Sequence, residues 1–311
     1  MLQCAVSRPA AGPQPEHPSM SQSVLITGAG GNLGRKLTGN LLAGGRYGRV
    51  LAVDRSGHAP AADDPRVQPV EADLKDVNDS RWRDALAGVD GVVHLAAQNP
   101  WPDAPWEDAA ASFDMTANLV EAAAEAGVRR LVFASSNHVM GQYKDPPLAD
   151  GLAAAGLRTD LPPGPGTRQF NGRQVVQPSA YATSKLMGER LCLARAALSR
   201  GAFTTVSLRI GWCQPGENLP ETLSAAGVPG DAAAVDPDEA RNLRWFRNMW
   251  LSNRDLMAVI EQALLADAAG WPSPGIVVNA MSGNTGMPWD IETTRRLIGY
   301  QPRDNVWDHV S

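Results

Sequence analysis

Tyr181 and Lys185 stand four residues apart in the run Tyr181-Ala182-Thr183-Ser184-Lys185. On a helix this spacing sets a phenol and an ammonium on one face, about one turn from each other. An ammonium beside a phenol favours the phenolate and lowers the tyrosine pKa from about 10 toward neutrality. Tyr181 then becomes a general base for a hydroxyl proton. The pair Ser135-Ser136 ends an apolar run and offers a hydroxyl able to orient the oxygen that loses that proton.

A second chemical signal lies near the start, in Val24-Leu25-Ile26-Thr27-Gly28-Ala29-Gly30-Gly31-Asn32-Leu33-Gly34. Gly28 permits a tight turn after a buried strand, Gly31 lets the backbone approach a pyrophosphate, and Gly34 allows close helix–strand contact. The helix that follows presents free N–H groups and a positive dipole end to phosphates. Asp54 ends the next apolar run, 20 positions after Gly34. A carboxylate there accepts hydrogen bonds from the adenosine ribose and repels a 2′-phosphate, favouring NAD over NADP. Arg55, beside it, is able to pair with such a phosphate. Asp73 in Glu71-Ala72-Asp73-Leu74 follows a third run and is placed to meet an adenine edge, although a solvated loop acid gives the same pattern.

These residues need a scaffold, and apolar patterning predicts it. Strands are expected at 24–26, 50–53, 67–70, 91–95, 131–134 and 204–210. Helices are expected at 35–43, 79–87, 113–126 (closed by Gly127) and 178–198, the last starting near Ser179. Near-continuous apolar strands alternating with helices predict an α/β fold with a parallel sheet covered on both faces. Residues 144–178, with prolines at 146, 147, 162 and 163, and residues 214–240 break the rhythm. Loops this long are uncommon unless functional or disordered, and both follow strand ends where open α/β sheets bind ligands. Residues 1–22 carry Pro9, Pro13, Pro15 and Pro18, which no secretory h-region tolerates. They are expected to be a disordered tail, with Met20 a second candidate start. The domains are then 23–210, dinucleotide-binding with the 144–178 insertion, and 211–311, a smaller substrate-binding region. The stripe Trp245, Phe246, Met249, Trp250, Leu251, Leu256, Met257 and Ile260 reads as core or a dimer surface ahead of a sugar platform.

Composition narrows the function classes. Lys+Arg of 28 against Asp+Glu of 33 leaves a net charge of -5, which argues against a nucleic-acid partner. No run of about 18 uncharged apolar residues is present to span a membrane. Three scattered cysteines without CxxC spacing suit a reducing, cytoplasmic compartment, and five histidines without HxxxH pairing give no metal site.

TGAGGNLG (27–34), the strand-ending Asp54, HLAA (94–97), NLVEAA (118–123), VFASS (132–136) and YATSK (181–185) together resemble the extended short-chain dehydrogenase/reductase family, from about Val24 to Ile210. The resemblance implies a Rossmann-type doubly wound fold. It implies NAD held by Gly28, Gly31, Asn32, Leu33, Gly34, Asp54, Arg55, Asp73, Leu74, Leu95, Ala96, Ala97, Tyr181 and Lys185. Ser136, Tyr181 and Lys185 would be catalytic, Ser136 aligning better than Ser135, and Ser112 stands where the family often has a fourth catalytic residue, Asn. A homodimer through two helices from each copy is also implied. Within the family, Ser135–Gly141, Arg209-Ile210-Gly211 and Trp250-Leu251-Ser252 are similar to uronate dehydrogenases, which implies sugar contacts from Asn99, Asn137 and His138.

Three departures leave the substrate open. Trp212 stands where a small Ser is expected, and Arg244 and Arg247 both lie near the place of the carboxylate-binding Arg, neither in register. Ser136 and Tyr181 are 45 positions apart, the extra length being the 144–178 stretch, readable as a lid over the sugar. The expectation is NAD-dependent oxidation of a cyclic aldose or uronate at C1 to its lactone, with Tyr181 as base. The alternative is a nucleotide-sugar epimerase or dehydratase that retains its NAD. A silent dinucleotide sensor would usually have lost the Tyr or the Lys, and both are here.

Overall fold

The computed structural model describes residues 22–60, 63–171, 173–225 and 238–310. Residues 1–21 of the expected tail and 226–237 of the second long loop lie outside the described residues, and Gln22 already opens the first strand. The strands β1 (Gln22–Thr27), β2 (Tyr47–Asp54), β3 (Val67–Glu71), β4 (Gly91–His94), β5 (Arg130–Ser136), β8 (Thr204–Ile210) and β9 (Gly275–Ala280) form a seven-stranded sheet. Between β5 and β8 in the chain lies the small antiparallel pair β6 (Gln169–Phe170) and β7 (Val175–Val176). The large sheet is parallel throughout, in the order β3-β2-β1-β4-β5-β8-β9. Chain order reverses between β1 and β4, so a crevice opens beyond their carboxyl ends, the place where doubly wound sheets bind ligands.

The strands alternate their side chains between two cores. Val24, Ile26, Val50, Ala52, Val93, Val132, Val206 and Leu208 face α1 (Asn32–Ala43) and α6 (Asn253–Leu265), which add Leu37, Leu41, Leu256 and Ile260. Leu25, Leu51, Val53, Val92, Leu131 and Phe133 face α2 (Ser80–Asp84), α3 (Trp106–Glu125) and α4 (Ala180–Leu198), which add Trp82, Leu119, Val120 and Cys192. Each fully buried Val, Leu or Ile contributes roughly 1.5–3 kcal/mol, so both faces anchor the strand ends firmly.

Several boundaries differ from the sequence expectation for local reasons. Helix α1 starts at Asn32 and not Arg35, because the glycine turn ends on Gly31 as N-cap. Helix α3 begins at Trp106, well before Phe113, with Glu107 and Asp108 favouring its positive end. Helix α2 is short, capped by the Asp79 carboxylate accepting from Arg81 N.

The region after Ile210 is built into the main body. It supplies β9 beside β8, α6 on the α1 face, and two further helices, α5 (Glu239–Asn248) and α7 (Glu292–Ile298). The 241–260 stripe is core: Phe246, Met249, Leu251, Leu256 and Ile260 are completely buried. Trp245, Phe246 and Met249 join Val139, Met140, Leu157 and Trp289 in a third cluster. That cluster fastens the 144–178 insertion, as do hydrogen bonds from Leu157 N to Pro288 O (2.8 Å) and from Asn279 Nδ2 to Leu157 O (3.0 Å). Among the described residues no helix is long and apolar enough to cross a membrane.

Candidate active site

The floor of the crevice is the turn between β1 and α1. Gly28 takes φ +68°, and a Cβ there would lie 2.7 Å from Ala96 N. At Gly34 a Cβ would lie 2.3 Å from Gly28 O, so helix and turn are in backbone contact. No side chain caps α1 at Gly31. The first-turn amides of Asn32, Leu33 and Gly34 have no helical acceptor, and these residues line the crevice. This arrangement fits a dinucleotide pyrophosphate. The Asp54 carboxylate, at the end of β2, accepts from Gly30 N and Arg55 N, both at 2.8 Å. Arg55 and Asp73 border a separate hollow of about 340 Å³ with His58, Glu71 and Arg81, beyond β2 and β3. Leu74 is buried in the core on the α3 side, its carbonyl accepting from Asn118 Nδ2 at 2.9 Å. Leu95 and Ala97 line the crevice, whereas Ala96 backs Gly28.

The main crevice has a volume of about 280 Å³ and extends from Gly28 to the ends of β5 and β8. The pleat separates the two serines of β5. Ser135 Oγ donates to Glu189 Oε1 at 2.6 Å in the core, and Glu189 in turn holds Arg209 through two 2.9 Å contacts. Ser136 Oγ accepts from His138 N at 3.2 Å and neighbours the Tyr181 phenol. Lys185 Nζ donates to Ala134 O at 2.7 Å and lies 5.8 Å from the centroid of the Tyr181 ring. Ser136, Tyr181 and Lys185 therefore share one wall.

The electrostatic balance differs from the sequence expectation. The Tyr181 phenol is not lowered: burial pushes it up to about 12, outweighing the opposing influence of the nearby Ser136 hydroxyl. Burial also pulls Lys185 down to about 8. Although part of Tyr181 is exposed, that part faces a narrow crevice and the surrounding protein still desolvates it. In the ligand-free protein, desolvation wins over charge pairing.

After β5 the chain enters a 3-10 helix, Asn137–Lys144. Asn137 Nδ2 donates to Ile210 O at 3.0 Å, and its Oδ1 is buried without a partner. His138 Nδ1 shares a 2.6 Å hydrogen bond with Thr167 Oγ1, while Nε2 is buried without a partner. Burial pulls His138 down to about 4, so the ring is neutral. Its edge meets Tyr181 and Trp212, with centroids 6.2 and 6.1 Å away. Trp212 is braced against Phe246 at 5.2 Å, and its Nε1 is a third buried polar atom without a partner. All three residues line the crevice.

Other expected substrate residues lie elsewhere. Asn99 is exposed and donates to Asp108 Oδ2 at 2.9 Å; its neighbours Pro100, Trp101 and Pro102 form the wall instead. Arg244 is exposed on α5, and Arg247 lies over the Trp307 ring at 5.8 Å; neither lines the crevice. None of the described residues of the 144–178 insertion lines the crevice. The insertion is a buttress: Thr167 holds His138, and Gly166 N donates to His138 O at 2.9 Å. Ser112 closes the loop after β4, bonding Gln98 N and O at 2.9 and 3.1 Å.

Sequence reading missed Trp101 and the strap Cys213-Gln214-Pro215. The Gln214 carbonyl accepts from Asn32 Nδ2 (3.3 Å) and Lys36 Nζ (3.2 Å), which lays the strap across the start of α1. Only the half-exposed tryptophan between two prolines left a signal in the sequence.

Residues 24–211 match the NAD dependent epimerase/dehydratase family. The chain is 31% identical over 290 residues to the L-arabinose 1-dehydrogenase (NAD(P)(+)) of Haloferax volcanii, covering 91% of this chain and 96% of that protein. It is 29% identical to the uronate dehydrogenase of Pseudomonas putida, covering 91% and 84%. Among solved structures, a mutated uronate dehydrogenase superposes with a TM-score of 0.65 at 26% identity, covering 93% of this chain and 84% of that one.

Proposed function

Because the chain belongs to the NAD dependent epimerase/dehydratase family, we propose that it is an NAD-dependent dehydrogenase oxidising a cyclic sugar or uronic acid at C1 to the lactone. One observation carries this reading. Ser136 and Tyr181 line the same crevice as Asn137 and His138, whose Oδ1 and Nε2 are buried without a partner. Buried polar atoms left unpaired cost about 1–3 kcal/mol each, and a polyhydroxylated ring would satisfy them. Sugar dehydrogenases at about this identity, acting on arabinose and on uronates, support the same chemistry.

When bound, an oxidised nicotinamide supplies the acceptor for the C1 hydride and a positive charge beside the site. Ser136 Oγ holds the C1 hydroxyl and Tyr181 Oη takes its proton. Lys185, charged below about pH 8, would favour the phenolate from one turn away and, with its remaining N–H donors, would hold the cofactor ribose. Asp54 selects NAD, its carboxylate being fixed beside the glycine turn where a 2′-phosphate would be repelled.

NADH appearance on mixing the protein with NAD and free sugars tests the reaction. Tyr181→Phe should lower kcat by at least about 100-fold while NAD affinity stays within about twofold. Undiminished turnover would remove Tyr181 from the mechanism, and tightly retained NAD with no net NADH would return the epimerase reading.

A further inference from the structure

We infer that the sugar taken by this crevice is uncharged: a neutral aldose, in preference to a uronate or a sugar phosphate. The inference rests on the dehydrogenase reading and names its substrate class. An anion moved out of water needs a paired cation or several donors, since an uncompensated buried charge is far costlier than a buried hydroxyl. Proteins usually meet a carboxylate with the planar fork of an arginine.

Among the described residues the crevice wall carries one cation, Lys185, whose Nζ donates to Ala134 O and on the dehydrogenase reading serves Tyr181 and the cofactor ribose. Arg244 and Arg247 lie off the wall. Lys36 donates to Gln214 O and Asn253 Oδ1, and Lys144, the last residue of the 3-10 helix, is buried against Asp145 and Asn242. Residues 226–237 contain no Lys, Arg or His at all and bring Asp231 and Asp236. Wherever that segment lies, it supplies no counter-charge.

The polar atoms that do await a partner are neutral and of mixed sense. Asn137 Oδ1 only accepts, Trp212 Nε1 only donates, and the neutral His138 Nε2 does either according to tautomer. Hydroxyl groups answer both kinds. A carboxylate accepts only, so it leaves Asn137 Oδ1 unsatisfied. The Trp212 indole fills apolar space against Phe246.

Matched pairs isolate the charge: D-galactose with D-galacturonate, D-glucose with D-glucuronate, and each hexose with its 6-phosphate. NADH formation by the full-length protein gives kcat/KM for each, with NAD binding measured separately. The neutral member of the best pair should exceed its anionic partner by at least about tenfold, the ratio worth about 1.4 kcal/mol. A smaller ratio, or a preference for the anion, overturns the inference and leaves the dehydrogenase reading in place. NADH from none of the common pentoses, hexoses, uronates or phosphates, despite NAD binding, overturns both.

Discussion

Glu189→Ala is expected to be among the most destabilising single changes in this chain. The Glu189 and Arg209 side chains are each 2% exposed and joined by two 2.9 Å contacts, Nε to Oε1 and Nη2 to Oε2. Ser135 Oγ donates to the same carboxylate at 2.6 Å, and Arg209 Nη1 has no hydrogen-bond partner among the described residues. Truncation leaves a buried guanidinium without its anion and a buried hydroxyl without its acceptor. Breaking a buried pair from one side costs about 3–5 kcal/mol. With an unfolding entropy of roughly 2.1 cal/mol/K per residue, that corresponds to a fall in Tm of about 5–8 °C for a chain of this size. Urea titration followed by circular dichroism gives the free-energy difference, and a reversible thermal scan gives Tm. Replacing both partners, Glu189→Met with Arg209→Leu, should return stability to within about 1 kcal/mol of the parent, because the pair's attraction largely offsets its own desolvation. A single variant within about 1 kcal/mol of the parent, with no coupling in the double variant, would refute the reasoning.

Asp54→Asn is expected to raise the NADP-to-NAD ratio of kcat/KM by about tenfold, roughly the 1.4 kcal/mol of one charge-assisted hydrogen bond; an unchanged ratio would mean that Arg55 or another group sets the preference. Stability should fall in acid through His94 and His138, which burial pulls down to about 3 and about 4. The unfolded chain takes up these protons near pH 6.5, whereas the folded protein resists until about pH 4. Their contribution is therefore complete above pH 6.5 and is lost as pH falls toward 4, with a slope approaching two protons near pH 5. Urea midpoints between pH 7 and 4.5 measure that slope, and His138→Asn should remove about one proton of it; a slope unaltered by the variant would show that His138 titrates normally.

The parts of this protein legible in its sequence are those encoded by contiguous residues. The apolar runs that became β1, β2, β3, β4, β5 and β8, the turn from Gly28 to Gly34 and the Tyr181–Lys185 spacing each depend on neighbours within one or two turns of chain. Strand, glycine turn and helix face are local geometries, so residue type and period suffice to predict them. Family likeness extended that reading to the dinucleotide crevice. Beyond Ile210 the signal weakened, and β9, α5, α6 and α7 came from the structure, since their apolar residues answer to long-range packing. The site's chemistry was decided the same way. Burial, not the neighbouring ammonium, sets Tyr181 near 12. Thr167, 29 residues from His138, orients that ring, and α5 carries Arg244 and Arg247 away from the wall. A charge's environment is the sum of everything folded around it. Spacing along the chain therefore identified which groups were available to react, and only the packed structure determined which of them face the crevice and in what state of protonation.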